Sequence, residues 1–186
     1  MADHALRRAP EIRAIPWLQP LPPATRFVLH GNAHARALAL PVWGVAFAEE
    51  PCRAKAEGTR ATLWLGPDEY LLLDSAPREP EALVASALEL ALAGAPHALV
   101  DISHRQFAFE IHGAHAQAIL NGACPLDLDA SVFPIGMCTR TVLAKADIVL
   151  WRIAEDAFHV ETWRSFSGYV GALLTEIAAE FNATAN

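Results

Sequence analysis

Two pairs of histidines have a spacing that could place two imidazoles side by side. His30 and His34 are four residues apart, and His112 and His115 are three apart. On a helix either spacing puts both side chains on one face, and imidazole is a common zinc ligand. A third ligand is not evident in the sequence. His30 and His112 each precede a glycine at a predicted strand-to-helix junction, so we interpret them as polar residues that serve exposed backbone, and we expect no metal site.

Asp101, Ser103 and His104 have the residue types of a hydrolytic triad. Side chains alternate between the two faces of a strand, so Asp101 and Ser103 would share one face while His104 points to the other. A triad needs its three groups in one hydrogen-bonded row, which this spacing does not allow. The nucleophile-elbow pattern and a glycine-rich phosphate loop are also missing from the sequence. We therefore expect no catalytic residue in this chain.

The run LWLGPDEYLLL, Leu63 to Leu73, predicts a short β-hairpin. Pro67 suits the first central position of a type I turn, and Asp68 tolerates the second. The acidic pair in the turn is then ordinary solvated turn chemistry. The second strand, Tyr70 to Leu73, has no polar alternation, which predicts burial on both faces beneath helices or another chain.

A pattern of strand, helix, hairpin and helix occurs twice along the chain, at a spacing of about eighty to ninety residues, which is longer than solenoid repeats. The matching strands are Arg26 to Gly31 and Phe107 to Gly113, the helical stretches that follow are Asn32 to Leu40 and Ala114 to Asn121, and the hairpin turns contain Asp68-Glu69 and Glu155-Asp156. We therefore predict an α+β fold built from two duplicated strand-helix-hairpin-helix subdomains.

The predicted subdomains cover residues 24–96 and 97–186, and residues 1–23 form an extended arm rich in proline and arginine. Such an arm is either disordered in isolation or laid along a partner. The final helix carries an apolar stripe from Tyr169 to Phe181, which predicts a surface helix. The stretch from Glu81 to Ala93 is apolar around most of its circumference, so it needs cover on two sides and is a candidate interface.

Composition narrows the classes of function. The formal charge is −7, which disfavours nucleic acid as a partner. Three cysteines at irregular spacing, with no signal peptide ahead of them, favour reduced thiols in the cytoplasm, and no apolar run is long enough to span a membrane. The chain is 53% hydrophobic and 19% charged, so surplus apolar surface predicts an obligate subunit.

Three segments beyond the arm are distinctive: ATRFVLHG, LWLGPDEYLLL and the ending WRSFSGYVGALLTEIAAEF. In these segments the chain resembles the sarcosine oxidase gamma subunit family. The family motif corresponds here to Trp64, Gly66, Pro67, Asp68, Arg164, Ser165 and Phe166. The second half, from VDISHRQFAFEIHGAHAQAIL through KADIVLWRIAEDAFHVET, also resembles the start of the folate-binding domain of the aminomethyltransferase family, the glycine cleavage T-proteins.

The wider aminomethyltransferase resemblance implies a folate site, and the sequence departs from it. Family enzymes have a Gly-Gly stretch and an acidic pair that leads into a strand, and an Asn after the next strand. Here Asp147 falls at the acidic position after Lys145-Ala146, and the Asn is replaced near Val160 to Thr162. Loss of one polar partner leaves a buried ligand group unpaired. We therefore expect a vestigial folate site, with Asp147 in a structural role.

The gamma subunit resemblance implies a heterotetramer with alpha, beta and delta subunits. That complex oxidatively demethylates sarcosine to glycine, forms hydrogen peroxide and passes a one-carbon unit to tetrahydrofolate. FAD, FMN, NAD, zinc and tetrahydrofolate are then expected on the partner subunits and none on this chain, which would be a non-catalytic assembly subunit. The alternatives are a stand-alone folate-binding protein of one-carbon metabolism that uses a pocket around Asp147, and a homo-oligomer that covers its own apolar surface.

Overall fold

The computed structural model describes residues 15–183, without the side chains of residues 182 and 183. The described chain divides into two compact units, one of residues 23–104 and one of residues 105–183 together with residues 15–22. Each unit has one five-stranded sheet. The α+β class is therefore confirmed. Within residues 15–183, no helix combines the length and the apolar character needed to cross a membrane.

The strands are β1 (Leu18–Pro20), β2 (Thr25–Gly31), β3 (Ala54–Glu57), β4 (Arg60–Gly66), β5 (Glu69–Asp74), β6 (His97–Asp101), β7 (Gln106–His112), β8 (Cys138–Leu143), β9 (Ala146–Ala154) and β10 (Ala157–Trp163). The helices are α1 (Ala33–Trp43), α2 (Glu81–Leu92), α3 (Ala116–Asn121) and α4 (Ser167–Ala183), and a short 3-10 turn covers Arg164–Phe166. The first sheet has the order β3-β4-β5-β2-β6 and the second β1-β7-β10-β9-β8.

The unit of residues 23–104 continues past the predicted boundary at residue 96. Strand β6 pairs antiparallel with β2, from Gly31 opposite His97 to Phe27 opposite Asp101. Only tertiary pairing assigns this strand to the first sheet, since local sequence does not specify a partner. The boundary between the units consequently falls after His104.

The predicted arm of residues 1–23 lies partly outside the described residues. Its last part enters the second sheet, where Leu18 is buried and pairs with Ile111. Pro20 ends this strand at the edge of the sheet, a position that proline tolerates because no further strand requires its missing N–H. The described part of the arm is therefore an edge strand of the second unit.

Helix α1 extends three residues beyond the predicted end at Leu40, through Pro41 to Trp43. Asn32 caps its first turn, because its side-chain oxygen accepts a hydrogen bond from the backbone N–H of Ala35 at 3.1 Å. Gly44 ends the helix with φ of 83°. Packing of Trp43 holds the last turn in place and outweighs the local effect of the proline.

Trp43 is the centre of the core in this unit. Its side chain is fully buried, and its indole N–H donates to the carbonyl of Ala61 at 3.2 Å. The ring of Phe27 meets it edge-on at 6.4 Å, and the guanidinium of Arg60 lies 5.0 Å from its ring centre. The core around it contains Leu29, Ala35, Ala39, Val45, Leu72, Val84, Leu88, Leu92 and Ala95.

The second unit packs α3 and α4 against one face of its sheet. Phe109, Ile111 and Phe158 are buried in this core, and Val170, Leu174 and Ala178 form the buried stripe of α4. The predicted amphipathic character of α4 is confirmed, since Thr175, Glu176 and Glu180 are exposed on its other side. Tyr169, which was predicted to begin the apolar stripe, is instead 40% exposed. A buried arginine, Arg152, ties the loop before β8 to the sheet by donating to the carbonyls of Leu128 and Phe133, each at 3.0 Å.

We expect the substitution Trp43→Ala to lower the free energy of unfolding by about 3 to 5 kcal/mol, the usual loss for a buried aromatic side chain. Chemical denaturation followed by circular dichroism would measure the loss. Trp163→Ala is the matched control, because Trp163 is 44% exposed and its removal should change the free energy by less than about 1 kcal/mol. Equal effects of the two substitutions would contradict the assignment of Trp43 to the core.

Candidate functional site

Arg36 clamps the predicted hairpin against the first turn of α1. Its Nη1 donates to the carboxylate of Asp68 at 2.7 Å and to the carbonyl of Gly31 at 3.1 Å. Its guanidinium also lies 5.4 Å from the ring centre of Tyr70. One arginine therefore contacts the end of β2, the turn between β4 and β5, and the strand that follows. Asp68, in the turn, is therefore engaged in an ion pair with Arg36.

The turn itself differs from the prediction. Pro67 and Asp68 are its two central residues, as expected, but Asp68 has φ of 57° and lies in the left-handed region. A type I turn has φ near −90° at that position, so the type I prediction is wrong. Positive φ at the second central position is typical of a type II turn, and aspartate tolerates it because its short side chain can bond locally.

The strand after this turn is buried along its whole predicted length. Tyr70, Leu71, Leu72 and Leu73 all have very little exposed surface, so burial of both faces is confirmed. The Tyr70 hydroxyl donates to the carbonyl of Ala48 at 2.6 Å. Burial raises the pKa of Tyr70 above its ordinary value, although the neighbouring Arg36 charge opposes the rise. The phenol is therefore a neutral donor that anchors the loop after α1.

A hydrogen bond to the hairpin turn occurs in each unit. The backbone N–H of Gly31 donates to the carbonyl of Asp68 at 2.8 Å, and that of Gly113 donates to the carbonyl of Asp156 at 2.9 Å. Gly31 also has no room for a side chain, since an added Cβ would lie 2.6 Å from the Cβ of Ala35. Gly113 has φ of 103°, which other residues adopt only with strain. At each glycine, the end of a strand, the start of the next helix and a hairpin turn therefore lie close together.

The second part of the predicted family motif lies between β10 and α4. Arg164, Ser165 and Phe166 form the 3-10 turn, and the backbone N–H of Arg164 donates to the carbonyl of Arg105 at 2.7 Å. Phe166 is 37% exposed. The other motif residues, Trp64 and Gly66, lie in β4 before the turn of the first hairpin. The structure places the two parts of the motif in different units.

A buried acid-base pair lies on β10 and was not predicted from the sequence. His159 Nε2 lies 2.8 Å from Glu161 Oε1, and the two residues are 6% and 1% exposed. Because they are two apart on β10, their side chains share one face. The spacing His-x-Glu within a strand is the signal that could have identified them.

The neighbours of this pair form a polar row across the sheet. His159 lies opposite Trp151 on one side and Glu110 on the other, and Glu110 lies opposite Gln19. The ring centres of Trp151 and His159 are 6.0 Å apart. The indole N–H of Trp151 is buried and makes no hydrogen bond to any of residues 15–183. A carboxylate beside an imidazole has the composition of a proton-transfer site, and both groups of this pair are buried.

Asp147, which the sequence predicts to correspond to the folate acid, is exposed at the start of β9. The backbone carbonyl of Asp147 accepts a hydrogen bond from the Thr162 hydroxyl at 3.3 Å. Strand pairing therefore brings Asp147 close to Val160 to Thr162, the segment where the asparagine is predicted to be replaced. The residue beside Thr162 is Glu161, whose side chain belongs to the buried pair with His159.

The histidine pairs have different surroundings. His30 lies 3.5 Å from Glu69 across the first sheet, and its side chain is 55% exposed. His112 and His115 line a cleft of about 80 Å³ with Trp17, Ile119 and Phe181. This volume is well below the several hundred cubic ångströms of typical cofactor pockets. In the described part of the chain, no three histidine, cysteine, aspartate or glutamate side chains cluster closely enough to hold a metal ion.

The residues of the supposed triad have three different partners. The Ser103 hydroxyl accepts from the backbone N–H of Arg26 at 2.9 Å, and Asp101 accepts from the backbone N–H of Ser103 at 2.8 Å. His104 Nε2 lies 3.4 Å from Glu81 at the start of α2. These contacts continue the pairing of β6 with β2 and attach it to the helix. The structure does not assemble the three side chains into a catalytic row.

Residues 30–180 match the sarcosine oxidase gamma subunit family. A sarcosine oxidase subunit gamma from Corynebacterium sp. strain U-96 is 31% identical over 182 residues, which cover 98% of this chain and 85% of that protein. The corresponding subunits from Corynebacterium sp. strain P-1 and Arthrobacter sp. are 34% and 35% identical over 67% and 68% of this chain. The matched segments span 59% and 60% of those two proteins.

Two solved structures share this fold over most of the chain. A chain of the heterotetrameric sarcosine oxidase from Corynebacterium sp. U-96, in complex with pyrrole 2-carboxylate, superposes with a TM-score of 0.81 at 25% identity. That match covers 97% of this chain and 91% of the other. The glycine cleavage system aminomethyltransferase T from Bartonella henselae has a TM-score of 0.62 at 13% identity, over 93% of this chain and 47% of that one. The second likeness concerns the fold alone.

We expect the substitution Glu161→Ala to lower the free energy of unfolding by about 3 to 5 kcal/mol, because it leaves His159 buried without its partner. Glu161→Gln keeps a hydrogen-bond acceptor and should cost less. Chemical denaturation of the purified chain would measure both losses. Glu176→Ala, on the exposed side of α4, is the control and should change stability by less than about 0.5 kcal/mol. Full stability of Glu161→Ala would contradict the buried pair.

Proposed function

We propose, because the chain belongs to the sarcosine oxidase gamma subunit family, that it is the gamma subunit of a heterotetrameric sarcosine oxidase. The observation that carries the proposal is a likeness over the whole chain, with 98% of it aligned to one gamma subunit and 97% superposed on a chain of the heterotetramer. The complex would oxidatively demethylate sarcosine to glycine, form hydrogen peroxide and transfer a one-carbon unit to tetrahydrofolate.

Within that complex, the chain acts as a non-catalytic assembly subunit. Three of its polar side chains of catalytic type are engaged in holding the fold. Asp68 pairs with Arg36, Ser103 binds the backbone of Arg26, and Glu161 pairs with His159. Such groups lend rigidity to a scaffold, and their contacts leave them poorly placed to accept a substrate. The contribution of the chain is then made through its surface.

The alpha, beta and delta subunits are the partners in this proposal, and they hold FAD, FMN, NAD, zinc and tetrahydrofolate. Asp147 is a vestige of a folate site. Its exposed carboxylate lies near the segment that contains Glu161, and the side chain of Glu161 is already paired with His159. The cytoplasm is the proposed location, since the thiols of Cys52, Cys124 and Cys138 persist in a reducing compartment.

The two units are proposed to be copies of one ancestral subdomain. The order β3-β4-β5-β2-β6 of the first sheet parallels the order β8-β9-β10-β7-β1 of the second. In both, a glycine at the end of a strand or directly after it donates its N–H to the carbonyl of an aspartate in the hairpin turn, Asp68 or Asp156. An enzyme fold that was duplicated and later lost its ligand residues would leave this arrangement.

We expect the chain to co-purify with the other subunits of the same organism's sarcosine oxidase when all four are expressed together with a tag on one partner. Omission of this chain should reduce the recovered complex and its sarcosine-dependent peroxide formation by about tenfold or more, because a bound partner stabilises the assembled state. Size-exclusion chromatography and a peroxide assay would measure both quantities. A fully active complex that excludes this chain would contradict the proposal.

A further inference from the structure

Strand β6 forms one edge of the first sheet, and within the described part of the chain it pairs only with β2. The backbone N–H of Ile102, directly after β6, donates to the carbonyl of Arg26 at 2.9 Å, which continues the register of that ladder. Hydrogen-bonded pairs alternate along an antiparallel ladder, so the backbone groups of His97, Leu99 and Asp101 point away from β2. No backbone group of the described chain pairs with them.

This edge lacks the features that commonly protect a free strand from pairing. Strand β6 has no proline, lysine or arginine, its register with β2 has no bulge, and its one acid, Asp101, is the last residue. The opposite edge of the same sheet, β3, carries the exposed charges of Lys55 and Glu57. Such charges, prolines and bulges are the usual protection of an edge. On β6, Val100 is instead 53% exposed, so a β-branched apolar side chain lies in water at an unprotected edge.

Unpaired backbone groups along a sheet edge are matched by another extended strand. A second copy of β6, turned about a two-fold axis at Leu99, presents the same groups in the opposite direction. His97 then pairs with Asp101 of the second copy and Leu99 pairs with its counterpart, and in each pair the residues exchange both N–H···O bonds. Ala98 falls opposite Val100 of the second copy, so a small side chain faces a larger one, and no acid faces an acid.

Helix α2 leaves room for a second copy beside this edge. Glu89 lies on the side of α2 that faces β6, since its carboxylate is 2.9 Å from His97 Nε2. Ala82 and Ser86 are seven and three residues before Glu89, so they share that side of the helix. Both are exposed and small. The α2 helices of two copies can therefore approach each other with no bulky apolar side chain between them.

We infer that two free copies of this chain pair antiparallel through β6, with Leu99 at the two-fold axis, and join their first sheets into one continuous sheet. The occupant of the edge is a second copy because the register and the side-chain sizes of β6 complement β6 itself. The inference goes beyond the proposed function and does not depend on it. In the free chain, the pairing would also cover an edge that otherwise invites uncontrolled strand addition.

The oligomeric state of the purified full chain tests the pairing. Size-exclusion chromatography with light scattering should show a concentration-dependent dimer of the wild type. Val100→Lys should raise the dissociation constant of the dimer at least about tenfold, because a lysine on an edge strand opposes pairing and the two-fold axis introduces it twice. Val142→Lys is the matched control, since Val142 is 38% exposed on the edge strand β8 of the other unit. The control should dimerise like the wild type.

Two results of that experiment would overturn the inference. One is a wild-type chain that stays monomeric throughout the concentration series. The other is an equal effect of Val100→Lys and Val142→Lys, which would show that the pairing does not involve β6. Circular dichroism of both variants should match the wild type, because each alters an exposed side chain.

Cysteine cross-linking tests the register. Ala98 and Val100 of the second copy form a non-hydrogen-bonded pair, whose Cα atoms lie about 4.5 Å apart, a distance that a disulfide can span. A mixture of Ala98→Cys and Val100→Cys chains should therefore form a covalent dimer with oxidised glutathione, while neither variant alone should. The wild type, treated in the same way, controls for the native thiols of Cys52, Cys124 and Cys138.

Cross-linking has its own contradicting outcomes, and it remains informative if Val100→Lys fails to fold. No covalent dimer in the mixture, or an equal yield from either variant alone, would overturn the proposed register. Failure of the wild type to dimerise would leave the proposed function unchanged, since co-purification with the other subunits is a separate measurement. A wild-type dimer that joins no oxidase complex would count against the proposed function alone.

Discussion

The fold of the first unit depends on the close contacts made at the backbone of Gly31. Its N–H binds the carbonyl of Asp68, and its carbonyl binds Arg36, so the strand, the following helix and the hairpin are joined within a few ångströms. The Cβ of Ala35 approaches so closely that no side chain fits. Only glycine satisfies both conditions at this position. The turn from Gly66 to Glu69 therefore has a structural role, and its Asp68 pairs with Arg36.

Much of this architecture can be predicted from local sequence, because its signals are local. The hairpin follows from Pro67 and Asp68 between two apolar runs, and the amphipathic final helix follows from its periodicity. The extension of α1 through Pro41 could not be predicted, because it depends on the packing of Trp43 with distant residues. Likewise, β6 joins the first sheet only through its pairing with β2.

In the candidate site, too, some features depend on local sequence and others depend on tertiary contacts. Sequence reasoning placed the acidic pair in the turn and interpreted it as solvated, but it missed the ion pair of Asp68 with Arg36 and the positive φ of Asp68, since both depend on tertiary contacts. The pair His159 and Glu161 escaped notice because two polar residues on a strand ordinarily point to solvent. Their burial is a tertiary property, and residue types alone do not distinguish it from exposure.

The proposed non-catalytic role follows from polar side chains that stabilise the fold itself, such as Asp68 with Arg36 and Glu161 with His159. The most direct measurement is the turnover number per mole of assembled complex, with Asp147→Asn and His112→Gln introduced together in this chain. Asp147 is exposed and His112 is partly exposed, so both side chains are accessible to a substrate. Turnover within about twofold of the wild type is predicted, because removal of a proton-transfer group would instead cost about a hundredfold or more. Such a loss at an unchanged level of assembly would contradict the non-catalytic role.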